Sequence, residues 1–249
     1  LLESGLFAFF LQRPYAVTAN PTDAPKAVFV STFSDMPLAA DFEVALKGNE
    51  ADFQTGVDAL AKIAKVYLGV KPSASSALTN AKNAEVTVFD GKCPAGNVGV
   101  QINHLSPVNK GEVVWTLGAE EVIFIGRLFN NGHVDFTRTI ALAGSEVKAP
   151  AYTKLTIGAQ LKDVFAGRVN NNEPVRYING NPLTGKQTCA EGFLAAHATS
   201  LTVIPEGTDN HEFLGFIMPR TNQFSTSRSY FSWLCGKKEY ALDARIKGG

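Results

Sequence analysis

The sequence predicts an α/β protein in which a first domain built on a largely parallel sheet is followed by a smaller, β-rich domain. Three observations carry this. Short apolar runs rich in β-branched and aromatic residues alternate with segments of helical spacing through about the first 110 residues. From Phe136 onward the texture changes to brief apolar runs separated by Gly, Asn and Pro clusters. The composition, 45% hydrophobic and 18% charged over 249 residues, supplies apolar side chains for one large or two smaller cores.

Taken in order, Leu2 to Leu11 reads as an apolar helix that stops at Arg13 and Pro14, since proline cannot donate the next helical hydrogen bond. Ala27 to Val30 is a compact run expected to form a buried strand. Asp41 to Leu46 and Glu50 to Val66 read as helices. In the second, Phe53, Val57, Leu60, Ala61 and Ala64 fall three or four apart with charges opposite. Val66 to Val70 reads as the next strand, and Glu120 to Asn130 as a further helix with Gly132 placed to end it. Thr139 to Leu142, Val175 to Ile178 and Leu201 to Ile204 are the short runs of the second domain, which is expected to begin near Ala149 to Tyr152.

Charge and cysteine usage narrow the function classes. Lys plus Arg and Asp plus Glu both number 23, so no basic surplus points to nucleic acid. The longest early apolar run, Leu6 to Leu11, falls far short of the roughly 20 residues that span a bilayer. It also lacks the basic flank and small-residue cleavage pattern of a signal peptide. Cys93, Cys189 and Cys235 are far apart and form no Cys-x-x-Cys pair. This argues against a zinc ribbon, a local iron–sulfur site or a disulfide framework. A chain beginning at Leu1 without Met reads as a piece of a longer protein.

Several motifs fail on inspection. Gly180, Gly185 and Lys186 have phosphate-loop spacing, but Gln187 stands where a magnesium-binding hydroxyl belongs and Pro182 removes an amide from the cradle, so a tight turn is expected. His211 and Glu212 open a zincin-like pattern that ends at Gly215 in place of the second ligand. The four histidines, His104, His133, His197 and His211, are isolated in sequence, and no Gly-x-Ser-x-Gly elbow supports a triad. Gly91, Gly96 and Gly99 do not make the dinucleotide fingerprint.

Glu85 to Pro107 departs most from ordinary core or surface patterning. Val86, Val88 and Phe89 read as a strand, which breaks into a loop holding Gly91, Cys93, Pro94, Ala95, Gly96 and Gly99 and then resumes as an alternating run. In a second strand Gln101 and Asn103 would share one face, with Ile102 and His104 on the other. Two neighbouring amides can donate to a ligand carbonyl but cannot titrate as acid or base. Strand, loop, strand is the plain alternative for the whole segment.

At these residues the chain resembles a known family. Gly91-Lys92-Cys93-Pro94-Ala95-Gly96-Asn97-Val98-Gly99-Val100-Gln101-Ile102-Asn103 is similar to the Gly-x-His-Pro-Ala-Gly-x-x-Gly-x-His-Ile-His motif of the A subunit of the bacterial sodium-translocating NADH:quinone oxidoreductase. Cys93, Gln101 and Asn103 replace its three histidines, which removes imidazoles from any mechanism there. The likeness continues in Leu1-Leu2-Glu3-Ser4-Gly5-Leu6, Arg13-Pro14, Pro37-Leu38-Ala39-Ala40-Asp41, Asp52-Phe53 and Gly56. Further on it includes Ala141-Leu142-Ala143-Gly144, Val147-Lys148, Pro150, Gly158-Ala159 and Leu161. It ends with Gly215-Phe216-Ile217-Met218-Pro219, Phe224-Ser225 and Arg228.

The resemblance implies a central fragment of that family's chain. Residues 1–149 would form an α/β domain like the flavin domain of the complex I NADH-oxidising subunit. Residues 150–205 would form a β-grasp domain of the soluble-ligand-binding type, and 206–249 a return segment opening a truncated C-terminal region. Within the second piece, Leu155 and Ile157 would lie on a strand, Leu161 to Phe165 on a short helix, and Gly180 to Gly185 in the turn. The implied role is a peripheral component on the cytoplasmic side of the inner membrane, partnered by the other subunits of the complex, membrane subunits included. It would help to bind ubiquinone or menaquinone without flavin, iron–sulfur or metal in this chain and without catalysis of its own. Gly91, Pro94, Ala95, Gly96, Gly99, Gln101 and Asn103 are the candidate quinone contacts, with Phe89, Val98 and Ile102 as walls. An assembly scaffold that binds nothing, and a flavin and NADH module of the complex I type, are the competing readings.

Overall fold

The computed structural model describes residues 1–170, 174–207, 219–225, 227–236 and 239–240. The chain divides into two compact units, residues 1–140 with 154–157, and residues 141–153 with 158–249. His211, Glu212, the run from Gly215 to Met218 and most of 206–249 lie outside the described residues.

The first unit is built on six strands: β1 (Leu11–Arg13), β2 (Val17–Thr18), β3 (Ala27–Ser31), β4 (Lys65–Val70), β5 (Glu85–Val88) and β6 (Val114–Gly118). Their order is β2-β1-β6-β3-β4-β5. The four strands β6, β3, β4 and β5 are parallel, while β1 and β2 extend the β6 edge as an antiparallel pair. The helices are α1 (Phe42–Leu46), α2 (Glu50–Leu60), α3 (Ser76–Thr79), α4 (Val98–Leu105) and α5 (Ala119–Asn131). Ala27 to Val30 is buried throughout because both faces of its strand are covered. Val28 and Val30 pack with Phe53, Val57 and Phe124 of α2 and α5, and Phe29 packs with Ile102 of α4.

Helices α2 and α5 approach backbone to backbone. A Cβ on Gly126 would lie 1.7 Å from the Asp52 carbonyl oxygen, and one on Gly56 would lie 2.1 Å from that of Val122. Val122, Ile123, Phe124 and Ile125 of α5 are all buried, each contributing about 1.5–3 kcal/mol. Gly132 ends the helix in the left-handed region at φ 76°, as its position predicts.

Three local expectations are overturned. Leu2 to Leu11 is not a helix. Gly5 takes φ 75°, a 3-10 turn spans Leu6–Phe9, and the chain then pairs with β6 as β1, with Phe10 buried against Trp115. An open sheet edge competes successfully with local apolar spacing. Helix α2 ends at Leu60 instead of running to Val66, because the β-branched run that follows is drawn into β4 beside β3. The second strand expected over Gln101 to His104 is helix α4. Asn97 caps it by accepting from the Gly99 N–H at 2.8 Å, and Val98, Ile102 and Leu105 form its apolar stripe against the sheet.

A second sheet of five strands follows: β7 (Thr137–Ala143), β8 (Ala151–Thr156), β9 (Val175–Asn179), β10 (Lys186–Thr188) and β11 (Ser200–Pro205), in the order β10-β9-β11-β7-β8. Strand β11 is parallel to β7 and antiparallel to β9. The one-turn helix α6 (Lys162–Phe165) lays Phe165 against Tyr177 of β9 with ring centroids 4.7 Å apart. The phosphate-loop-like spacing from Gly180 to Lys186 falls in the turn joining antiparallel β9 and β10. There the Asn181 side chain accepts from the N–H groups of Leu183 and Thr184, both at 3.0 Å.

Candidate functional site

Parallel strands end together, so the loops that leave their carboxyl ends gather on one edge of the sheet, and ligands of such sheets bind there. In the first unit those loops follow Ser31, Val70 and Val88. Between them lies a cleft of about 360 Å³ lined by Phe33, Asp35, Phe42, Lys71, Phe89 and Gly91, among others. Lys71 Nζ sits 3.0 Å from both Asp41 oxygens. Asp41 also caps α1 by accepting from the Glu43 N–H at 3.1 Å. Three phenyl rings and one held ammonium give the cleft apolar walls with a donor at the rim.

The loop singled out in the sequence forms one side of this cleft through Gly91, and it is pinned from behind. The Ser31 hydroxyl donates to the Gly96 carbonyl at 3.0 Å, and the Gly96 N–H donates to the Asp35 carboxylate at 2.5 Å. Gln101 is 1% exposed and spends its side-chain N–H groups on Ser31 Oγ at 3.0 Å and the Ala95 carbonyl at 3.2 Å. A Cβ on Gly69 would lie 2.2 Å from Gln101 Oε1, so the amide fits only because residue 69 has no side chain. Pro94 is exposed, Ala95 and Gly96 are half-buried, and the exposed Gly99 donates its N–H to Asn97. Asn103 is exposed on α4, one helical step from buried Ile102, so it does not share a face with Gln101. Phe33, Asp35 and Lys71 carry no local motif. The signal that finds them is their place just after the apolar runs of β3 and β4.

The order of the parallel strands reverses between β3 and β6, where a phosphate-bearing cofactor of a doubly wound sheet meets a helix N-terminus. Here that place is filled. Chain leaving β6 enters α5 through Glu120 and Glu121, both buried. A Cβ on Gly118 would lie 2.0 Å from Glu121 Oε2, so the carboxylate lies against the strand end. Arg138 of β7, buried, donates from Nη2 to Glu121 at 2.7 Å, with Nε 3.4 Å from Glu120. Burial pushes the Glu120 carboxyl up to about 7, with Arg138 opposing and Glu121 reinforcing the shift. An incoming phosphate would meet two carboxylates.

Among the described residues, no group of three or more His, Cys, Asp or Glu is placed to hold a metal ion, and no helix is long and apolar enough to cross a membrane.

Comparison with known proteins agrees with the family resemblance. The description "NqrA second alpha/beta domain" matches residues 1–134, and "NQRA C-terminal domain" matches residues 139–190. The chain is 33% identical over its whole length to the A subunit of the Na(+)-translocating NADH-quinone reductase of Yersinia pestis bv. Antiqua (strain Angola). It is 34% identical to that of Photorhabdus laumondii subsp. laumondii and 33% to that of Saccharophagus degradans. In each case it spans 56% of the relative's length. Among solved structures, a chain of an NAD+-reducing [NiFe]-hydrogenase in the H2-reduced state superposes with a TM-score of 0.53 at 13% identity, covering 74% of this chain and 41% of that one. That likeness concerns the fold alone.

Proposed function

Since the chain belongs to the NqrA family, we propose that it serves in a Na(+)-translocating NADH-quinone reductase, as a peripheral component on the cytoplasmic side that binds a quinone head group. Its partners are the complex's other subunits, membrane subunits included. The cleft at the carboxyl ends of β3, β4 and β5 carries this reading, because the loop bearing the family motif enters its lining at Gly91 and is tied through Gly96 to Asp35, which also lines it. Phe33, Phe42 and Phe89 bracket the ring, and Lys71 donates to a carbonyl oxygen whose charge grows on reduction. Gly91 lines the cleft, Pro94, Ala95, Gly96 and Gly99 follow it in the loop behind that lining and are candidate contacts, Gln101 holds the loop in place, and Asn103 is a candidate contact on the outer, solvent side. The chain positions quinone and forms no covalent intermediate.

Two further features support the reading. The strand order β8-β7-β11-β9-β10, with β11 returning parallel to β7 and a short helix between β8 and β9, supports reading the second sheet as a β-grasp domain. Glu120 and Glu121 at the strand-order reversal speak against flavin or NADH in this chain. Quinone reduction by the assembled complex carrying Phe89→Ala or Lys71→Ala tests the proposal. Both variants are expected to raise the KM for quinone about tenfold with NADH oxidation by artificial acceptors unchanged. Unaltered quinone kinetics in both would leave the assembly role alone.

A further inference from the structure

The cleft at the carboxyl ends of β3, β4 and β5 carries an uneven charge. Among the described residues that line it are three carboxylates, Asp35, Asp41 and Asp90, and a single cation, Lys71. That ammonium is already committed, since Nζ lies 3.0 Å from both oxygens of Asp41. Two carboxylates are left over. Half-buried Asp35 accepts from the Gly96 N–H, which is a dipole and not a countercharge, and exposed Asp90 stands at the start of the loop. No Lys or Arg among the described residues forms an ion pair with either one. Lys92, which follows Gly91 in the same loop, is exposed and does not line the cleft.

The walls make this imbalance count. A cleft lined by one sign of charge between low-dielectric walls concentrates the field of those charges in its interior. Here the phenyl rings of Phe33, Phe42 and Phe89 are such walls, and they offer an entering anion nothing in exchange for its water. An anionic group would therefore lose hydration and meet two unbalanced carboxylates, whereas an uncharged ring meets apolar surface and the Lys71 donor. We propose that Asp35 and Asp90 make the cleft select by charge: it takes uncharged quinone head groups and turns away those that bear a carboxylate, sulfonate, phosphate or dissociated hydroxyl. The selection rests on the reading of this cleft as a quinone site and names which members of that class it accepts.

Competition against a photoreactive quinone on the assembled complex reads this as binding, apart from any effect of substituents on electron transfer. Three competitors share one benzoquinone ring and carry, on a short arm, a tert-butyl, a trimethylammonium or a sulfonate group, alike in size and different in charge. Labelling of the peptides that line the cleft should be halved by the first two at similar concentrations, and by the sulfonate only at a concentration about tenfold higher. Asp90→Asn should narrow that gap about threefold, and raised salt should narrow it in the wild type. Asp35→Asn, which keeps an acceptor for the Gly96 N–H, combined with Asp90→Asn should nearly close it. Equal protection by the sulfonate and tert-butyl compounds, or an unchanged gap in the double variant, overturns the charge selection and leaves the quinone reading standing. Failure of all three, and of native quinone, to displace label from these peptides removes the quinone reading and the selection with it.

Discussion

The carboxyl edge of the parallel sheet has two regions of opposite character. Around β3, β4 and β5 the loops stand apart and leave a cleft with aromatic walls. Between β3 and β6, where this architecture ordinarily receives a cofactor phosphate, two buried carboxylates and a buried arginine fill the space. The difference teaches that the fold alone does not set where a ligand can enter, since side chains close one pair of strand ends here and leave the neighbouring ends open.

The filled region gives the largest expected effect. Arg138→Met strands Glu120 and Glu121 in a buried setting and should cost about 3–5 kcal/mol of stability, read by urea unfolding at pH 7. A loss under about 1 kcal/mol would show that these groups are not sealed.

The pH dependence is nearly as large. Glu120 titrates at about 7 in the folded chain against an ordinary 4.5, so the folded state holds more protons between those values and stability falls as pH rises through that window. The loss approaches about 3 kcal/mol if the whole shift is realised. Glu120→Gln should flatten this part of the profile, and an unchanged slope between pH 5 and 8 would remove Glu120 as its source.

The open region gives smaller, local effects. Gln101→Ala removes the buried amide behind the loop and should cost about 1–3 kcal/mol, with hydrogen exchange accelerated over residues 91–97. Acceleration spread evenly over the first unit would deny Gln101 a local holding role. Lys71→Ala should change stability by less than about 1 kcal/mol, since its pair with Asp41 is partly exposed. If the cleft holds quinone, the same change lowers affinity about tenfold through loss of a charged donor.

Legibility followed the length and burial of each element. Helix α5 and strands β3 and β4 are readable from sequence because periodic or continuous apolar runs leave few alternatives. Helix α4 is not, because its eight residues fit an alternating strand and a short helix alike until Asn97 is seen to cap it and the sheet is seen to need Val98, Ile102 and Leu105. The loop at Gly91 stands out by composition, but the residues facing it across the cleft come from two other loops with no motif of their own. Glu120 and Glu121 look like ordinary acids in the first turn of a helix. Their burial becomes visible only when Arg138 arrives from β7, 17 residues beyond Glu121.

The most direct test of an open cleft beside a sealed strand-order reversal is a photoreactive quinone analogue applied to the assembled complex, with labelled peptides mapped by mass spectrometry. Labels are expected in residues 33–42, 71–72 and 89–91, lost on competition with native quinone. Labelling at residues 118–121, or confined to other subunits, would contradict it.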